Sequence, residues 1–291
     1  MPELPEVEVT RRCISPAWVG RRVRSLRTTA DSYFFLTPPR RLQRRLRNQR
    51  MQSLERRGKY LVAQTDDGSQ LVLHLGMTGQ LFSSDATSVR LLSASARAAL
   101  APEEQVRFRP DTHTHLTFRF HDDGPDIHMR DVRKFGKVLL LAPGQRSERL
   151  DRLGADALEV QGDDLFAATR GRSIAIKSLL LDQSVVAGSG NIYTDEALYL
   201  ARVRPTRKAG RVTRAECDRI ADATRKVMLR SIETGGSSIS DYVAPDGSDG
   251  AYQDERMVYA RTGEPCPSCS APIRRVVLGQ RSAHYCSRCQ R

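Results

Sequence analysis

The chain begins Met1-Pro2-Glu3-Leu4-Pro5-Glu6, and removal of Met1, which a small second residue favours, would leave Pro2 as a terminal secondary amine. An α-amino group titrates near roughly pH 8, so an appreciable part of it is neutral and nucleophilic at neutral pH. Attack of a secondary amine on a sugar C1′ gives an obligately cationic iminium, and that electron sink eases β-elimination. Glu3 and Glu6 are the right groups to move protons and to stabilise an oxocarbenium-like sugar. The same residues fit a plain acidic helix cap, and position alone does not separate the two readings.

The second group is four thiols. Cys266, Cys269, Cys286 and Cys289 form two C-x2-C pairs sixteen residues apart, which is zinc spacing. Four sulfurs fill a tetrahedral ion, so one structural Zn²⁺ is expected. The insert between the pairs carries Arg274, Arg275 and Arg281, which a zinc hairpin would project as a basic finger toward phosphate.

Lys59 lies at the turn into a predicted strand, in Arg56-Arg57-Gly58-Lys59-Tyr60-Leu61. It is either a solvated lysine or an amine placed for phosphate or acid/base work. Met77 in His74-Leu75-Gly76-Met77-Thr78-Gly79, with Arg133 and Phe135 in Asp131-Val132-Arg133-Lys134-Phe135-Gly136, combines apolar wedges with a cation between tight turns. Such wedges fill the gap left when a base is flipped from a duplex, although core packing accounts for each apolar residue singly. The turn 182–191, rich in Gly and Ser, leads into a helix and suits either a phosphate or an ordinary helical hairpin.

The elements that must hold these groups follow from length and periodicity. At 291 residues, two domains with a small appendage are expected, with boundaries at 1–143, 155–258 and 259–291. A helix is predicted over 5–19, then short β-type runs from Val23 to Leu140, including 60–65, 70–75, 115–121 and 137–141. From Asp163 to Arg230 the apolar spacing turns helical, with 174–181 and 193–200 bracketing the glycine turn. A glycine-rich stretch from Gly235 to Tyr252 reads as a loop, and 83–110 reads as an insertion without assigned chemistry. The fold class is α+β and multidomain.

The net charge is +13, and all but six of the 47 basic residues are arginine. That balance suits a polyanionic partner, nucleic acid before others, or simply a soluble surface. Neither a membrane span nor a signal peptide is expected, which places the protein in the cytoplasm.

Read in order, the motifs resemble the bacterial formamidopyrimidine-DNA glycosylase family. The resemblance rests on the opening Met1 to Glu8, on 57–61, 74–79 and 133–136, on Gly188-Ser-Gly-Asn191-Ile192-Tyr193 with Asp195-Glu196-Ala197-Leu198, and on the terminal cysteines with Gln280-Arg281. It covers nearly the whole chain. It implies an N-terminal β-sandwich with a leading helix, a helix-two-turn-helix domain and a zinc finger, with damaged double-stranded DNA in the cleft between them.

The resemblance also implies roles. Pro2 becomes the Schiff-base nucleophile, Glu3 a proton donor, Glu6 a supporting carboxylate, Lys59 the donor for β-elimination and Arg281 the donor for δ-elimination. His113, Arg133 and Arg172 match DNA contacts; Met77, Arg133 and Phe135 match void-filling residues; Lys177 and Asn191 match phosphate contacts. A monomer associated with the nucleoid, removing oxidised purines, is implied. A relative acting on oxidised pyrimidines, and a non-catalytic binder of damaged DNA, are the alternatives. Lys134 stands where the family commonly has a second arginine, and Ser240 where a loop commonly has lysine.

Overall fold

The computed structural model describes residues 2–86, 108, 110–238 and 242–291. Most of the 83–110 segment, and Ser240, therefore lie outside the described residues. The chain forms two compact units, residues 1–147 with 234–251 and residues 148–233 with 252–291. The glycine-rich stretch after the long helix thus returns to the first unit, and the zinc hairpin clusters with the helices. Among the described residues, no helix is long and apolar enough to cross a membrane.

The first unit opens with helix α1 (Leu4–Ile14), which starts sharply for a local reason. Glu3 is the N-cap, Pro5 occupies the first turn, and Glu3 and Glu6 make a reciprocal capping box. The strands that follow are β1 (Val23–Thr28), β2 (Met51–Arg57), β3 (Tyr60–Thr65), β4 (Gln70–His74), β5 (Gly79–Ser83), β6 (Thr114–Phe120), β7 (Ile127–Asp131) and β8 (Lys137–Leu141).

They make two antiparallel four-stranded sheets, ordered β1-β6-β7-β5 and β2-β3-β4-β8. One apolar core joins them, with Leu61, Leu71, Leu73 and Val138 from one sheet and Leu116, Phe118, Ile127 and Met129 from the other. This is the expected β-sandwich.

One element differs from the sequence reading. Helix α2 (Pro39–Leu46) stands where short β-type runs were expected. Its apolar residues are only Leu42 and Leu46, one turn apart and both buried, too short a pattern for periodicity to register among five arginines between Arg40 and Arg47.

The second unit is helical: α3 (Gly162–Thr169), α4 (Ile176–Leu180), α5 (Asn191–Leu200) and the twenty-residue α6 (Arg214–Glu233). α6 packs against α3 and α5. The C-terminal hairpin pairs β9 (Ile273–Leu278) with β10 (Arg281–Cys286) through the two-residue turn Gly279-Gln280, both at positive φ. Two residues of positive φ match the right-handed twist of the strands they join.

Candidate functional site

Pro2 is buried in front of α1. The two carboxylates beside it are also buried, Glu3 at 3% and Glu6 at 2% exposure, so the helix-cap reading is correct in geometry but the cap is not a solvated one. Glu6 is the organiser: one carboxylate oxygen accepts the Glu3 N–H at 2.8 Å and the other the Ser237 N–H at 2.9 Å. The Tyr242 hydroxyl donates to the Glu6 carbonyl at 3.3 Å.

The stretch after α6 is therefore pinned to the start of α1. Gly236 makes that approach possible, because at φ +88° a Cβ would lie 3.1 Å from the Tyr242 ring and 3.2 Å from the Glu6 carboxyl.

Lys59 follows Gly58, whose φ of +54° shapes the β2–β3 turn, and it is buried rather than solvated. A chain of bonds ties this turn to α1. Arg56 donates to Glu8 at 3.3 Å and to the Gly58 carbonyl at 3.2 Å, while Arg11 and Arg12 also bond Glu8. Burial alone would push the Glu8 carboxyl up, but the hydrogen bonds from Arg11 and Arg12 and the charges of Arg11 and Arg56 outweigh it and hold it at about 2.

A folded-state value below the unfolded one stabilises the fold above pH 4.5, and that contribution is lost as pH falls toward about 2. At neutral pH Glu8→Gln is expected to cost up to about 3 kcal/mol. Urea unfolding across this acid range checks it, and an unchanged pH slope in the variant would remove Glu8 as the source.

The wedge residues sit on two turns held by one acid. Asp131, fully buried, accepts the Thr78 hydroxyl, the Arg133 N–H at 3.2 Å and the Gly136 N–H at 2.7 Å. Arg133 N–H also reaches the Thr78 hydroxyl at 3.1 Å. Gly76 closes the second turn against the first, since a Cβ there would lie 2.4 Å from the Gly136 nitrogen.

Phe135 is 44% exposed and Arg133 lies 4.6 Å over its ring, so core packing does not account for either. Met77 is half-buried on the neighbouring turn. His113 adjoins them, its carbonyl accepting the Asp131 N–H at 2.9 Å. Asp131→Ala would free three donors at once and is expected to cost about 2–4 kcal/mol, with Phe135 losing its fixed presentation. Urea unfolding with the exchange rates of the 131–136 amides measures this, and protection equal to the parent's would overturn it.

In the second unit, Asn191 begins α5 after the extended N-cap Gly190, and its side-chain oxygen is buried without a partner. The preceding turn is braced by Gln183, which donates to the Leu181 and Ser189 carbonyls and accepts the Gly188 N–H. The helix start offers backbone N–H groups suited to an oxyanion, whereas the unpartnered Asn191 oxygen is itself an acceptor and needs a donor. Arg172 is exposed on the loop after α3, with its carbonyl accepting Gly210 N–H.

Lys177, which the resemblance implies as a phosphate contact, is held inside the second unit. It has no exposure, and its ammonium donates to Asp195 at 2.6 Å and to the Ser282 carbonyl at 2.5 Å. The other Asp195 oxygen accepts the His284 N–H at 2.8 Å and Nδ1 at 3.0 Å. Glu196 beside it accepts the backbone N–H groups of Met257, Val258 and Tyr259. The two acids of α5 thus anchor the approach to the finger and β10 itself, and Lys177 serves that joint. Arg281 is exposed at the hairpin tip, one residue before the Ser282 carbonyl that Lys177 holds.

The four thiols converge, all sulfurs lying within 4.8 Å of one another, with Cys266 to Cys289 at 3.8 Å and Cys269 to Cys286 at 3.4 Å. A tetrahedron of about 2.3 Å Zn–S bonds has sulfurs about 3.8 Å apart, so the set fits zinc. Pro2, Glu3, Glu6, Lys59, Met77, His113, Arg133 and Phe135 thus share the first unit, and Arg172, Lys177, Asn191, Arg281 and the cysteines the second.

The supporting residues Thr78, Asp131, Gly236, Ser237 and Tyr242 were not singled out from sequence as site residues. Thr78 and Asp131 stand within quoted motifs, but only contacts across the sheet or over more than two hundred residues reveal the work of the five. His74 is a further case. Its Nδ1 accepts the Gly76 N–H at 3.1 Å while its ring lies 4.8 Å from that of Tyr60, so it stands between the Met77 turn and the Lys59 turn.

The exposed Arg133 over the exposed Phe135, together with a four-thiol hairpin carrying more arginine, marks a zinc-finger protein suited to DNA. Family models agree along the chain: the formamidopyrimidine-DNA glycosylase N-terminal domain matches residues 1–138, its H2TH domain 153–243, and the zinc finger found in Fpg and isoleucyl-tRNA synthetase 263–291.

The formamidopyrimidine-DNA glycosylase of Stenotrophomonas maltophilia K279a is 38% identical over 293 residues, and that of Cupriavidus pinatubonensis 40% over 313, each covering both chains fully. The crystal structure of MutM (Fpg) from Thermus thermophilus superposes with a TM-score of 0.82 at 34% identity, covering 99% of this chain and 98% of that one. A Lactococcus lactis Fpg mutant complexed with Fapy-dG-containing DNA superposes at 0.84 and 31% identity, with full coverage of both. The chain belongs to the formamidopyrimidine-DNA glycosylase family. It is a DNA-repair glycosylase with one structural zinc.

Proposed function

We propose that the chain removes oxidised purines such as 8-oxoguanine and formamidopyrimidines from duplex DNA, as a monomer in the cytoplasm, and then cuts the strand. The observation that carries this reading is the setting of Pro2. It is buried directly before Glu3, which forms a capping box with Glu6 at the start of a helix bonded, through Glu8 and Arg56, to the turn of Lys59.

With Met1 removed, the Pro2 nitrogen attacks the sugar C1′. The bond to the base breaks as Glu3 delivers a proton that lets the base leave, and the amine loses its own proton to give a neutral N,O-acetal. The C1′–O4′ bond then breaks with a proton taken up at O4′, which opens the sugar and leaves the cationic iminium. Loss of a C2′ proton then expels the 3′ phosphate, with Lys59 as the proton-transfer group. A second elimination expels the 5′ phosphate, assisted by Arg281. Met77, Arg133 and Phe135 occupy the space of the flipped base, and Arg172, His113 and Asn191 take backbone contacts.

The zinc holds the finger fold, with Cys266, Cys269, Cys286 and Cys289 as ligands, and takes no part in bond breaking. The solved complex of the Lactococcus lactis relative with Fapy-dG DNA supports the choice of purines.

Borohydride added to the protein with duplexes bearing 8-oxoguanine opposite C or thymine glycol opposite A tests the reading. A covalent adduct on the 8-oxoguanine duplex is expected. An adduct on thymine glycol alone would favour the pyrimidine reading. None on either, in protein shown to lack Met1, would overturn the enzymatic mechanism.

A further inference from the structure

We propose that an arginine-lined recess on α2, remote from Lys59, is a second seat for the phosphate backbone of duplex DNA, one that ignores lesions. α2 reads Pro-Arg-Arg-Leu-Gln-Arg-Arg-Leu. Leu42 and Leu46 are buried and Gln43 donates to the Thr28 hydroxyl at 2.9 Å, which leaves Arg40, Arg41, Arg44 and Arg45 exposed.

Arg41, Arg44 and Arg45 line a cavity of about 270 Å³ closed by Ser69 and by the end of β8 at Leu140 to Ala142. Arg45 is held in place by Asp67 at 3.1 Å and the Ser69 hydroxyl at 3.4 Å. Among the described residues, Arg41 and Arg44 have no acidic partner.

This arrangement works against the helix. Arg40 with Arg44, and Arg41 with Arg45, are like-charge pairs at i,i+4 spacing, each destabilising by about 0.2–0.5 kcal/mol. Cations in the last turn suit the helix dipole, but Arg40 and Arg41 lie in the first turn, where it repels them. A bound polyanion would remove both penalties. Guanidinium forks pair with phosphate oxygens in bidentate fashion, and the wall from Leu140 to Ala142 offers no competing carboxylate.

Position separates this seat from the one at Lys59. β4 runs from Gln70, paired with Leu141 beside the recess, to His74, paired with Lys137 and with Tyr60 next to Lys59. The two ends of that strand are about 13–17 Å apart, too far for one phosphate to touch both groups. A phosphate in the recess is therefore a different one from any phosphate at Lys59, and nothing in the recess reads the lesion.

The test is Arg41→Ser/Arg44→Ser in the full chain. On a long undamaged duplex, the slope of log affinity against log salt is expected to fall by about 1.8, the loss of two phosphate contacts. Borohydride trapping on a short lesion duplex should stay at the parent's value, and the melting temperature should not fall, since the variant also removes both like-charge pairs. Because the main readout uses undamaged DNA, it does not depend on the glycosylase mechanism.

An unchanged slope would overturn the proposal, as would a loss of trapping on the short duplex equal to the loss on the long one. If a free nucleoside triphosphate fills the recess while both proteins keep the same duplex slope, the seat takes a small anion and the backbone assignment falls.

Discussion

Glu3→Gln is expected to slow release of the damaged base by about 10²–10⁴-fold, while trapping on a duplex that already lacks the base persists. The difference arises because only the first substrate needs a proton delivered as the base leaves. The structure makes glutamine the informative replacement. Glu3 is the N-cap, its side chain accepting the backbone N–H of Glu6, and the Glu6 carboxylate in return accepts the Glu3 N–H.

Glutamine keeps an acceptor oxygen for that bond, whereas alanine would add a capping loss of about 1 kcal/mol and loosen Glu6 as well. Because Glu6 also holds Ser237, a loosened Glu6 would disturb the loop after α6 and confuse two effects. Single-turnover excision on the 8-oxoguanine duplex, set beside trapping on the abasic one, is the measurement. Excision at the parent rate would take Glu3 out of proton delivery, and equal loss on both substrates would make its role structural.

The sandwich strands and the helical unit were readable because each carries its own periodicity, as in 60–65 and 137–141, and the thiols were readable because zinc spacing is a local pattern. What stayed hidden works across the chain. Nothing around Gly236 in sequence shows that it must lack a side chain; the cause is the Glu6 carboxyl and Tyr242 ring on either side of it. Asp131 reads as one more turn residue until its oxygens are seen to gather donors from Thr78, Arg133 and Gly136.

Lys177 is a like case. The family resemblance implies a phosphate contact there, and nothing local in the sequence shows that its ammonium pairs with Asp195 eighteen residues on. α2 was missed because two leucines are too few to set a period. The arginines that obscured the helix are the same ones that line the recess.

Asp195→Asn is expected to destabilise the second unit by about 3–5 kcal/mol, the cost of leaving a buried charge without its counterion. Asp195 presents two oxygens to opposite demands, one to the Lys177 ammonium and the other to the His284 N–H and ring. Asparagine has one oxygen, so its NH₂ must face either the ammonium or the His284 donors, and a buried group goes unpaired in both orientations.

The strain falls on β10, because Lys177 also holds the Ser282 carbonyl next to Arg281. The second strand cut, which Arg281 is proposed to assist, should therefore decline more than base release does, and a chelator should withdraw zinc faster. Lys177→Met on top of Asp195→Asn removes the orphaned cation. The pair should recover stability relative to Asp195→Asn alone, with a coupling of about 0.5–3 kcal/mol. Urea unfolding of the parent, both single variants and the double variant supplies the cycle. A single Asp195→Asn variant within about 0.5 kcal/mol of the parent would show that the joint between α5 and the finger does not depend on this ion pair.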